Sequence, residues 1–327
     1  MKSIFRANLF MLLLIIFMLA IEMFLVRDLI GLLGYVNLMA VHEYIALLIP
    51  AVAFILITKQ SPKEVFRLNK IKPLDAAIAI IIAFFAQPVA SFLSQITAFF
   101  FDNPVAQAFE ILKDISYPKM LFMMAITPAI CEELVTRGIV LHGYNKTSIL
   151  KAALINGLVF SILHLDLQQS LYTFVLGVLF AYMVRITNSI WASVLCHFTF
   201  NGIQVTMLEL SQMLKDKVGT EAIEAAQAAQ QTTTASETLI LLAVSFVLAV
   251  GSAAAIVGLL VYMNSKNKKA VAAAYSESNP NDNMNYEIDN ERAYLFNNVQ
   301  QEERSLGAYI PLVILIIVYT AIMMLTS

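Results

Sequence analysis

Charged residues and cysteines are scarce in this chain. Asp, Glu, Lys and Arg together make up only 13% of its 327 residues, and the formal net charge is −2. Without a basic excess there is no bulk electrostatic attraction to nucleic acid, so we expect no nucleic-acid partner. The two cysteines, Cys131 and Cys196, both lie inside apolar segments, which argues against a disulfide framework.

Long apolar runs take the place of the missing charges. Hydrophobic residues make up 59% of the chain, and its mean hydropathy of +0.75 is far above that of an ordinary soluble domain. Nine runs are long enough to cross a bilayer as helices, at 8–26, 42–58, 74–100, 119–143, 148–165, 168–185, 188–208, 238–263 and 308–325. The sequence therefore predicts an all-α, polytopic transmembrane helical bundle of about nine spans.

The distribution of lysine and arginine predicts the orientation of these spans. The first run follows Lys2 and Arg6, is longer than the apolar region of a typical signal peptide and lacks a small-residue cleavage site, so we expect a retained helix. With a cytoplasmic N-terminus, sixteen of the 21 basic residues fall on the inner side and five on the outer side. The small size and plain loops suggest a bacterium. We therefore predict a multi-pass protein of the bacterial cell membrane, surrounded by the lipid bilayer, with its N-terminus in the cytoplasm.

Two polar stretches interrupt the apolar pattern. Residues 209–237 alternate Glu, Lys, Ala and Gln before a Thr-rich run, which predicts a short surface helix and a linker on the outer face. Residues 264–306 begin basic and then become acidic and rich in asparagine, which predicts a flexible cytoplasmic loop that could dock a partner. The predicted organisation is therefore a transmembrane core at 1–263, this loop at 264–306, and an additional C-terminal transmembrane helix at 307–327.

The fourth span carries three charged residues, Glu132, Glu133 and Arg137. Each charge at the centre of a membrane-spanning helix costs roughly 2.5–3.5 kcal/mol on insertion scales, so this cluster indicates a functional site. Glu133 and Arg137 are four residues apart and can pair on one helix face. Glu132 is rotated by about 100° from its neighbour, which leaves it available for chemistry.

Two further polar pairs occur at helical spacing in later spans. Phe160 and His164 share one face, so the phenyl ring can wall the imidazole, and His197 projects together with Asn201. Peptide hydrolysis needs an activated water and a stabilised oxyanion. Glu132, His164, His197 and Asn201 supply a base and hydrogen-bonding groups without a covalent nucleophile, so we take these four as the candidate catalytic residues.

The three motifs, in this order on three transmembrane segments, resemble the family of CAAX proteases and bacteriocin-processing enzymes. These are intramembrane endopeptidases related to the type II CAAX prenyl endopeptidase. The motifs read Glu132-Glu133-Leu134-Val135-Thr136-Arg137-Gly138, Phe160-Ser161-Ile162-Leu163-His164 and His197-Phe198-Thr199-Phe200-Asn201. The three together are specific, whereas any one alone would be weak, and the resemblance covers about 119–208.

The resemblance implies a role for each matched residue. Glu132 and His164 would activate the water, His197 and Asn201 would stabilise the oxyanion, and the glutamate–arginine pair of the fourth span would brace the site. The expected substrate is a peptide or membrane-protein segment, such as a prenylated-like C-terminus or a bacteriocin leader, and the expected cofactor is none. The family's usual core has eight helices, so the ninth span and the 264–306 loop go beyond it.

Three alternatives stay open from the residues alone. A zinc protease could use His164, His197 and a glutamate as metal ligands. A proton-coupled transporter could also be built from buried Glu, His and Arg, and a catalytically dead scaffold would tolerate Glu132→Gln. Glu43, next to His42, does not form a His-Glu-x-x-His zinc motif, and we interpret it as the polar edge of the second span.

Overall fold

A computed structural model describes residues 2–102, 115–218, 235–278 and 306–326 of the chain. Every regular element within these ranges is a helix, which confirms the predicted all-α class. Fourteen α-helices and three π-helical segments are described, as α1 Lys2–Phe24, α2 Val26–Leu33, α3 Tyr35–Glu43, π1 Tyr44–Leu48, α4 Ile49–Thr58, α5 Pro62–Val65, α6 Pro73–Thr97, α7 Tyr117–Leu121, π2 Phe122–Ile126, α8 Thr127–Glu133, π3 Leu134–Val140, α9 Leu141–Gly143, α10 Ile149–Leu163, α11 Ser170–Thr187, α12 Trp191–Val218, α13 Ala235–Ser278 and α14 Ile310–Thr326. A 3₁₀ turn, Leu306–Tyr309, precedes the last helix.

Six helical stretches of the described chain are long and apolar enough to cross a membrane. They are Lys2–Phe24, Tyr35–Thr58, Pro73–Thr97, Ser170–Thr187, Ser236–Ala270 and Leu306–Met324. The other three predicted spans are helical as well, but they fall outside that group, since α10 has only 15 residues, the fourth carries three charged side chains close together, and polar side chains lower the hydropathy of α12. The membrane-embedded bundle is established, and the total of nine spans stays a prediction.

The fourth span is the most irregular helix of the bundle. Two π segments, Phe122–Ile126 and Leu134–Val140, flank the seven-residue stretch of regular helix that holds both site glutamates. Pro128 lies in the first turn of that regular stretch and has no backbone N–H to donate, which removes one α-helical hydrogen bond. Single-turn π segments inside helices occur frequently at functional sites, and here they lie on both sides of the charged cluster.

Glycines bring α10 and α11 into close contact. A Cβ added at Gly157 would lie 2.7 Å from the carbonyl oxygen of Phe174, and one at Gly177 would lie 2.7 Å from the Cα of Gly157. Larger residues at either position would push the two helices apart. The close packing of this hairpin holds Phe160, on α10, against the site described below.

The last helix packs on the first. Asn8, buried on α1, donates from Nδ2 to the carbonyl oxygen of Ala308 at 2.9 Å and accepts from the hydroxyl of Tyr144 at 2.7 Å. A buried amide in a membrane helix needs such partners because lipid offers none. The predicted additional C-terminal helix is therefore part of the bundle, joined to α1 and to the end of the fourth span.

The predicted flexible loop is wrong for its first residues. Helix α13 continues through 264–278, and buried Asn267 donates to Asp75 Oδ2 at 3.1 Å and accepts from Lys72 Nζ at 2.8 Å. The alanine-rich run after Lys269 has high helix propensity, so the helix does not end where the apolar span ends. Residues 279–305, and the docking role assigned to the loop, lie outside the described residues.

The predicted surface helix after residue 208 is also continuous with a span. Helix α12 runs without interruption to Val218, since the sequence contains no proline or glycine between Gly202 and that residue. The linker predicted to follow falls mainly on residues 219–234, which lie outside the described part of the chain.

Basic side chains gather at one end of the bundle, which we call the basic end. Arg67 donates to the carbonyl oxygen of Arg137 at 3.1 Å and also to Asn145, while Arg185 donates to the carbonyl oxygen of Tyr144 at 3.0 Å. The start of α1 and the turn before α10 lie at this end too. The sequence predicts that all these segments face the cytoplasm, and the structure places them at the same end of the bundle. The membrane face at which this end lies stays a prediction.

Candidate active site

A cavity of about 190 Å³ lies within the bundle and receives side chains from α3, the fourth span, α10, α11 and α12. Its walls include all four predicted catalytic residues, Glu132, His164, His197 and Asn201. Helices distant in sequence thus bring the glutamate, both histidines and the asparagine to a single space, which is what water activation and oxyanion stabilisation at one bond require.

The predicted pair of Glu133 and Arg137 is present and completely buried. Arg137 Nη1 lies 3.0 Å from Glu133 Oε1, and both side chains have 0% exposure. The guanidinium also donates from Nη1 to the hydroxyl oxygen of Thr136 at 2.6 Å, and its Cζ lies 4.1 Å from the ring centroid of Phe160, in cation–π range. A buried charge without such partners would be strongly destabilising, so the pair holds the charged turn in the bundle.

Glu133 has a second partner that helical spacing does not predict. His197 Nδ1 donates to the same Oε1 atom at 3.0 Å, because an ionised carboxylate can only accept. This bond fixes the ring orientation and directs Nε2 toward Glu132, whose Oε2 lies 3.9 Å away. Glu133 therefore positions both the arginine behind the site and the histidine inside it.

Glu132 remains the less constrained of the two glutamates. Its side chain is 14% exposed, and its buried Oε2 has no hydrogen-bond partner within the described part of the protein. Its backbone carbonyl accepts from Thr136 Oγ1 at 2.6 Å, which fixes the helix turn without engaging the carboxylate. Glu132 also lines the cavity, where a carboxylate is suited to accept a proton from water.

His164 directly follows the last residue of α10 and is held by that helix. Its Nδ1 donates to the carbonyl oxygen of Phe160 at 2.8 Å, and the two rings form an edge-to-face contact with centroids 4.8 Å apart. The predicted packing of the Phe160 ring against the imidazole of His164 is therefore present. Phe160 also packs against His197, with ring centroids 5.9 Å apart. Because a backbone carbonyl can only accept, the proton must be on Nδ1, and in the neutral ring Nε2 is left as an acceptor.

Asn201 lines the cavity one helical turn after His197 on α12. Its neighbour Phe200 accepts a hydrogen bond at its carbonyl oxygen from Gln87 Nε2 of α6 at 2.8 Å, which anchors this turn of the helix. The Asn201 carboxamide is therefore carried on a fixed backbone beside the cavity. Its predicted role as an oxyanion donor is not tested by this geometry.

Glu43 is a site residue that the sequence interpretation missed. It lines the same cavity as Glu132, and its buried Oε2 has no hydrogen-bond partner among the described residues. It ends α3 immediately before π1, and the next residue, Tyr44, shares a 3.0 Å hydrogen bond with Thr127 at the start of the glutamate-bearing turn. No spacing rule relates Glu43 to the later motifs, and only its position as a charge inside an apolar run could have indicated it.

A polar rim follows the histidine at the end of α10. Asp166 accepts from the backbone N–H of Gln168 at 2.7 Å and from the Gln169 side chain at 3.1 Å, so it holds the turn that precedes α11. Gln169 in turn accepts from the hydroxyl of Tyr172 at 2.5 Å, and both residues line the cavity. The sequence analysis missed this network, although an Asp shortly before an apolar helix is a common start signal.

The described ranges contain no group of three His, Cys, Asp or Glu side chains placed to hold a metal ion. His197 Nδ1 donates to Glu133 and His164 Nδ1 donates to Phe160, so Nε2 is the ring nitrogen that each histidine could offer to a metal ion. A three-ligand zinc site would need both Nε2 atoms and a glutamate oxygen gathered around one point, an arrangement not found among the described side chains. Metal independence itself stays a prediction.

Comparison with known proteins gives two matches. The family profile described as type II CAAX prenyl endopeptidase Rce1-like matches residues 115–203, the part of the chain that holds all three motifs. A protein of Bacillus subtilis (strain 168), named "Putative membrane peptidase YdiL", is 30% identical over 179 residues, which cover 52% of this chain and 71% of that protein. No solved structure gives a significant match.

Proposed function

Because this chain belongs to the family of CAAX proteases and bacteriocin-processing enzymes, it is a membrane-embedded peptidase, and we propose that Glu132 activates the water that hydrolyses the peptide bond. The convergence of Glu132, His164, His197 and Asn201 on one cavity carries this proposal. The transporter considered from the sequence has no comparable support, since both matches are described as peptidases.

In the proposed first step, Glu132 takes a proton from water while the water oxygen bonds to the carbonyl carbon of the substrate. His164 orients the same water by accepting a hydrogen bond at Nε2, since its Nδ1 proton is already donated to Phe160. General-base assistance of this kind contributes typically about 10²–10⁴-fold to the rate. The position of Glu132 in the cavity wall, with no hydrogen bond to its Oε2 from the described residues, supports this role.

In the same step the carbonyl oxygen becomes an oxyanion, which we assign to His197 and Asn201. A proton on His197 Nε2 and the Asn201 carboxamide would both donate to it. With Nδ1 held by Glu133, a doubly protonated ring is compensated by a carboxylate at 3.0 Å. Before the reaction, Glu132 and Glu133 would then balance Arg137 and the imidazolium, so that these four side chains together carry no formal net charge.

The second proposed step breaks the carbon–nitrogen bond. Glu132, protonated in the first step, gives its proton to the leaving nitrogen while the oxyanion returns to a carbonyl. The products are a carboxylic acid and an amine, and transfer of the acid proton to the amine gives a carboxylate and an ammonium group. No covalent enzyme intermediate is formed, so the thiols of Cys131 and Cys196 have no part in the reaction. Both are fully buried, which is in keeping with a packing role.

The cavity lies away from the basic end of the bundle. Lys151 is in the first turn of α10 and His164 follows its last residue, so the 13 residues from one to the other correspond to about 20 Å along the helix at 1.5 Å per residue. Together with the predicted cytoplasmic location of the basic end, this supports access of the substrate from the outer half of the membrane. The topology measurement given in the Discussion tests this part of the proposal separately.

We propose a short peptide segment held at the membrane as the substrate class, such as a leader peptide or a lipid-modified, prenyl-like C-terminus. The test compares cell envelopes from strains that express the wild type, Glu132→Gln or Glu22→Gln, by sequencing new peptide termini. Glu22 lies on α1 with a half-exposed side chain, so it controls for loss of a membrane glutamate elsewhere. Termini present with the wild type and Glu22→Gln, and absent with Glu132→Gln, identify substrates, whereas identical termini in all three strains would contradict the proposal.

A further inference from the structure

A second cavity, of about 470 Å³, lies at the basic end of the bundle. Its polar lining consists of Lys2, Ser3, Arg6, Gln60, His142 and Lys146. Three permanent cations thus surround one space, and no carboxylate among the described residues lines it. The proposed reaction uses none of these side chains, so the peptidase mechanism does not explain their concentration here.

Close packing of α1 on the end of the fourth span forms one side of this cavity. A Cβ at Gly143 would collide with the Cβ of Ala7 and would lie 3.0 Å from the carbonyl oxygen of Ser3, so only glycine permits this approach. Lys2 and Arg6, four residues apart on α1, then lie on the same side of the helix, beside Lys146. The contact that holds α1 in place therefore also concentrates positive charge.

We propose that this cavity binds the phosphate of an anionic phospholipid headgroup. Basic pockets between transmembrane helices at the cytoplasmic side commonly bind such headgroups, because each Lys or Arg near the surface adds to the attraction. Ser3 and Gln60 add neutral side chains that can donate hydrogen bonds to phosphate oxygens. The site is separate from the peptidase cavity, with which it shares no lining residue.

The apolar surroundings favour a lipid over a free phosphate ion. Phe54 of α4 and Ile139 of π3 form part of the cavity wall. Two of the helices that line the cavity also expose large apolar side chains, with Phe5 of α1 at 41% exposure and Ile57 of α4 at 80%. A headgroup in the cavity could therefore extend its acyl chains along surfaces that face lipid, whereas a soluble anion would gain nothing from them.

Occupation of this site would join α1 to the helix that carries the charged cluster. Ile139 and His142 belong to the same continuous helical stretch as Arg137, while Lys2 and Arg6 belong to α1. A ligand that binds only the folded arrangement stabilises it by mass action. We therefore expect the anionic lipid to raise the thermal unfolding midpoint of the enzyme as well as to bind.

The test is a titration of the purified full chain in neutral detergent with three probes, namely phosphatidylglycerol, phosphatidylcholine and inorganic phosphate. Native mass spectrometry counts the bound molecules. Phosphatidylglycerol should bind at least tenfold more tightly than either other probe and should raise the unfolding midpoint. The triple variant Lys2→Gln, Arg6→Gln, Lys146→Gln should weaken its binding by about a hundredfold, from roughly fivefold per cation.

A matched variant controls for net charge. Lys59→Gln, Lys63→Gln, Lys70→Gln removes three cations from the adjoining segment between α4 and α6 that do not line the cavity, and should change phosphatidylglycerol affinity by less than about fivefold in total. Equal binding of phosphatidylglycerol and phosphatidylcholine, or equal loss in both triple variants, would overturn the proposal. Inorganic phosphate that binds as tightly as the lipid would make this a soluble-anion site instead.

Folding of the triple variant is checked by its unfolding curve in phosphatidylcholine. If that curve is not cooperative, the single variant Lys2→Gln replaces it, since Lys2 is exposed at the start of α1 and its side chain is dispensable for packing. An affinity loss of about fivefold is then expected, and an unchanged affinity would overturn the proposal.

Discussion

Replacement of Arg137 by alanine should destabilise the whole bundle. The change removes a guanidinium that is 3.0 Å from Glu133 and 4.1 Å from the Phe160 ring centroid, in a place with no exposure. Glu133 would keep only His197 as a charged partner for a buried carboxylate. Removal of one member of a buried ion pair costs about 3–5 kcal/mol, a large share of the roughly 5–15 kcal/mol by which native proteins are stable.

The assay is the unfolding midpoint of the purified protein in detergent, together with its abundance in the membrane. Arg27→Ala is the matched control, because Arg27 is exposed and an exposed change is expected to shift the free energy of unfolding by no more than about 0.5 kcal/mol. The double variant Glu133→Gln, Arg137→Gln removes both charges and should recover part of the abundance lost in Arg137→Ala. It should not recover full activity, since His197 would then face a neutral amide.

One result would refute this account of Arg137. If Arg137→Ala unfolds at the same midpoint as Arg27→Ala but does not cleave substrate, the arginine acts directly on the reaction rather than through the fold. The electrostatic balance proposed for the cluster would then have to be revised, because Glu133 would be shown to tolerate burial without its cation.

Three further predictions concern the carboxyl group of Glu43, the orientation of the chain in the membrane, and the dependence of activity on a metal ion. Glu43→Met should raise the unfolding midpoint, because burial of an oxygen without a hydrogen-bond partner typically costs about 1–3 kcal/mol and the change removes that oxygen. The same change should lower the rate of cleavage. A lower unfolding midpoint would contradict the prediction. In intact cells an impermeant thiol reagent should label Ser236→Cys but not Ser276→Cys, at opposite ends of α13, and the reverse pattern would invert the predicted topology. Dialysis against a strong chelator should leave activity unchanged, whereas stoichiometric zinc whose removal abolishes activity and whose return restores it would move the enzyme to the metalloproteases.

Contacts within a single helix were the easiest to predict from the sequence. The pairing of Glu133 with Arg137 and the wall formed by Phe160 against His164 both follow from four-residue spacing, and both are present. Such contacts depend only on the helical period, so the spacing of the residues in the sequence is enough to predict them. The all-α class follows in the same way from the length of the apolar runs.

Contacts between helices were not accessible in this way. The hydrogen bond from His197 to Glu133 and the presence of Glu43 in the cavity depend on how distant helices pack, which no local pattern encodes. The sequence analysis therefore assigned Glu133 one partner where it has two, and took Glu43 for a helix edge.

Predicted boundaries failed where polarity and helix propensity disagree. Residues after 263 become polar, which predicts the end of a span, yet lysine and alanine are good helix formers and α13 continues to Ser278. The same applies after residue 208, where α12 continues to Val218. Hydropathy marks where a helix leaves the apolar part of the bundle, not where it ends.

The central claim is that the Glu132 carboxylate activates the hydrolytic water. The most direct measurement is the kcat of purified wild type, Glu132→Gln and Glu22→Gln on one identified peptide substrate, with the unfolding midpoint of each. The account predicts that Glu132→Gln keeps its midpoint and loses about 10²–10⁴-fold or more in kcat, while Glu22→Gln loses neither. Undiminished kcat in a folded Glu132→Gln enzyme would contradict it.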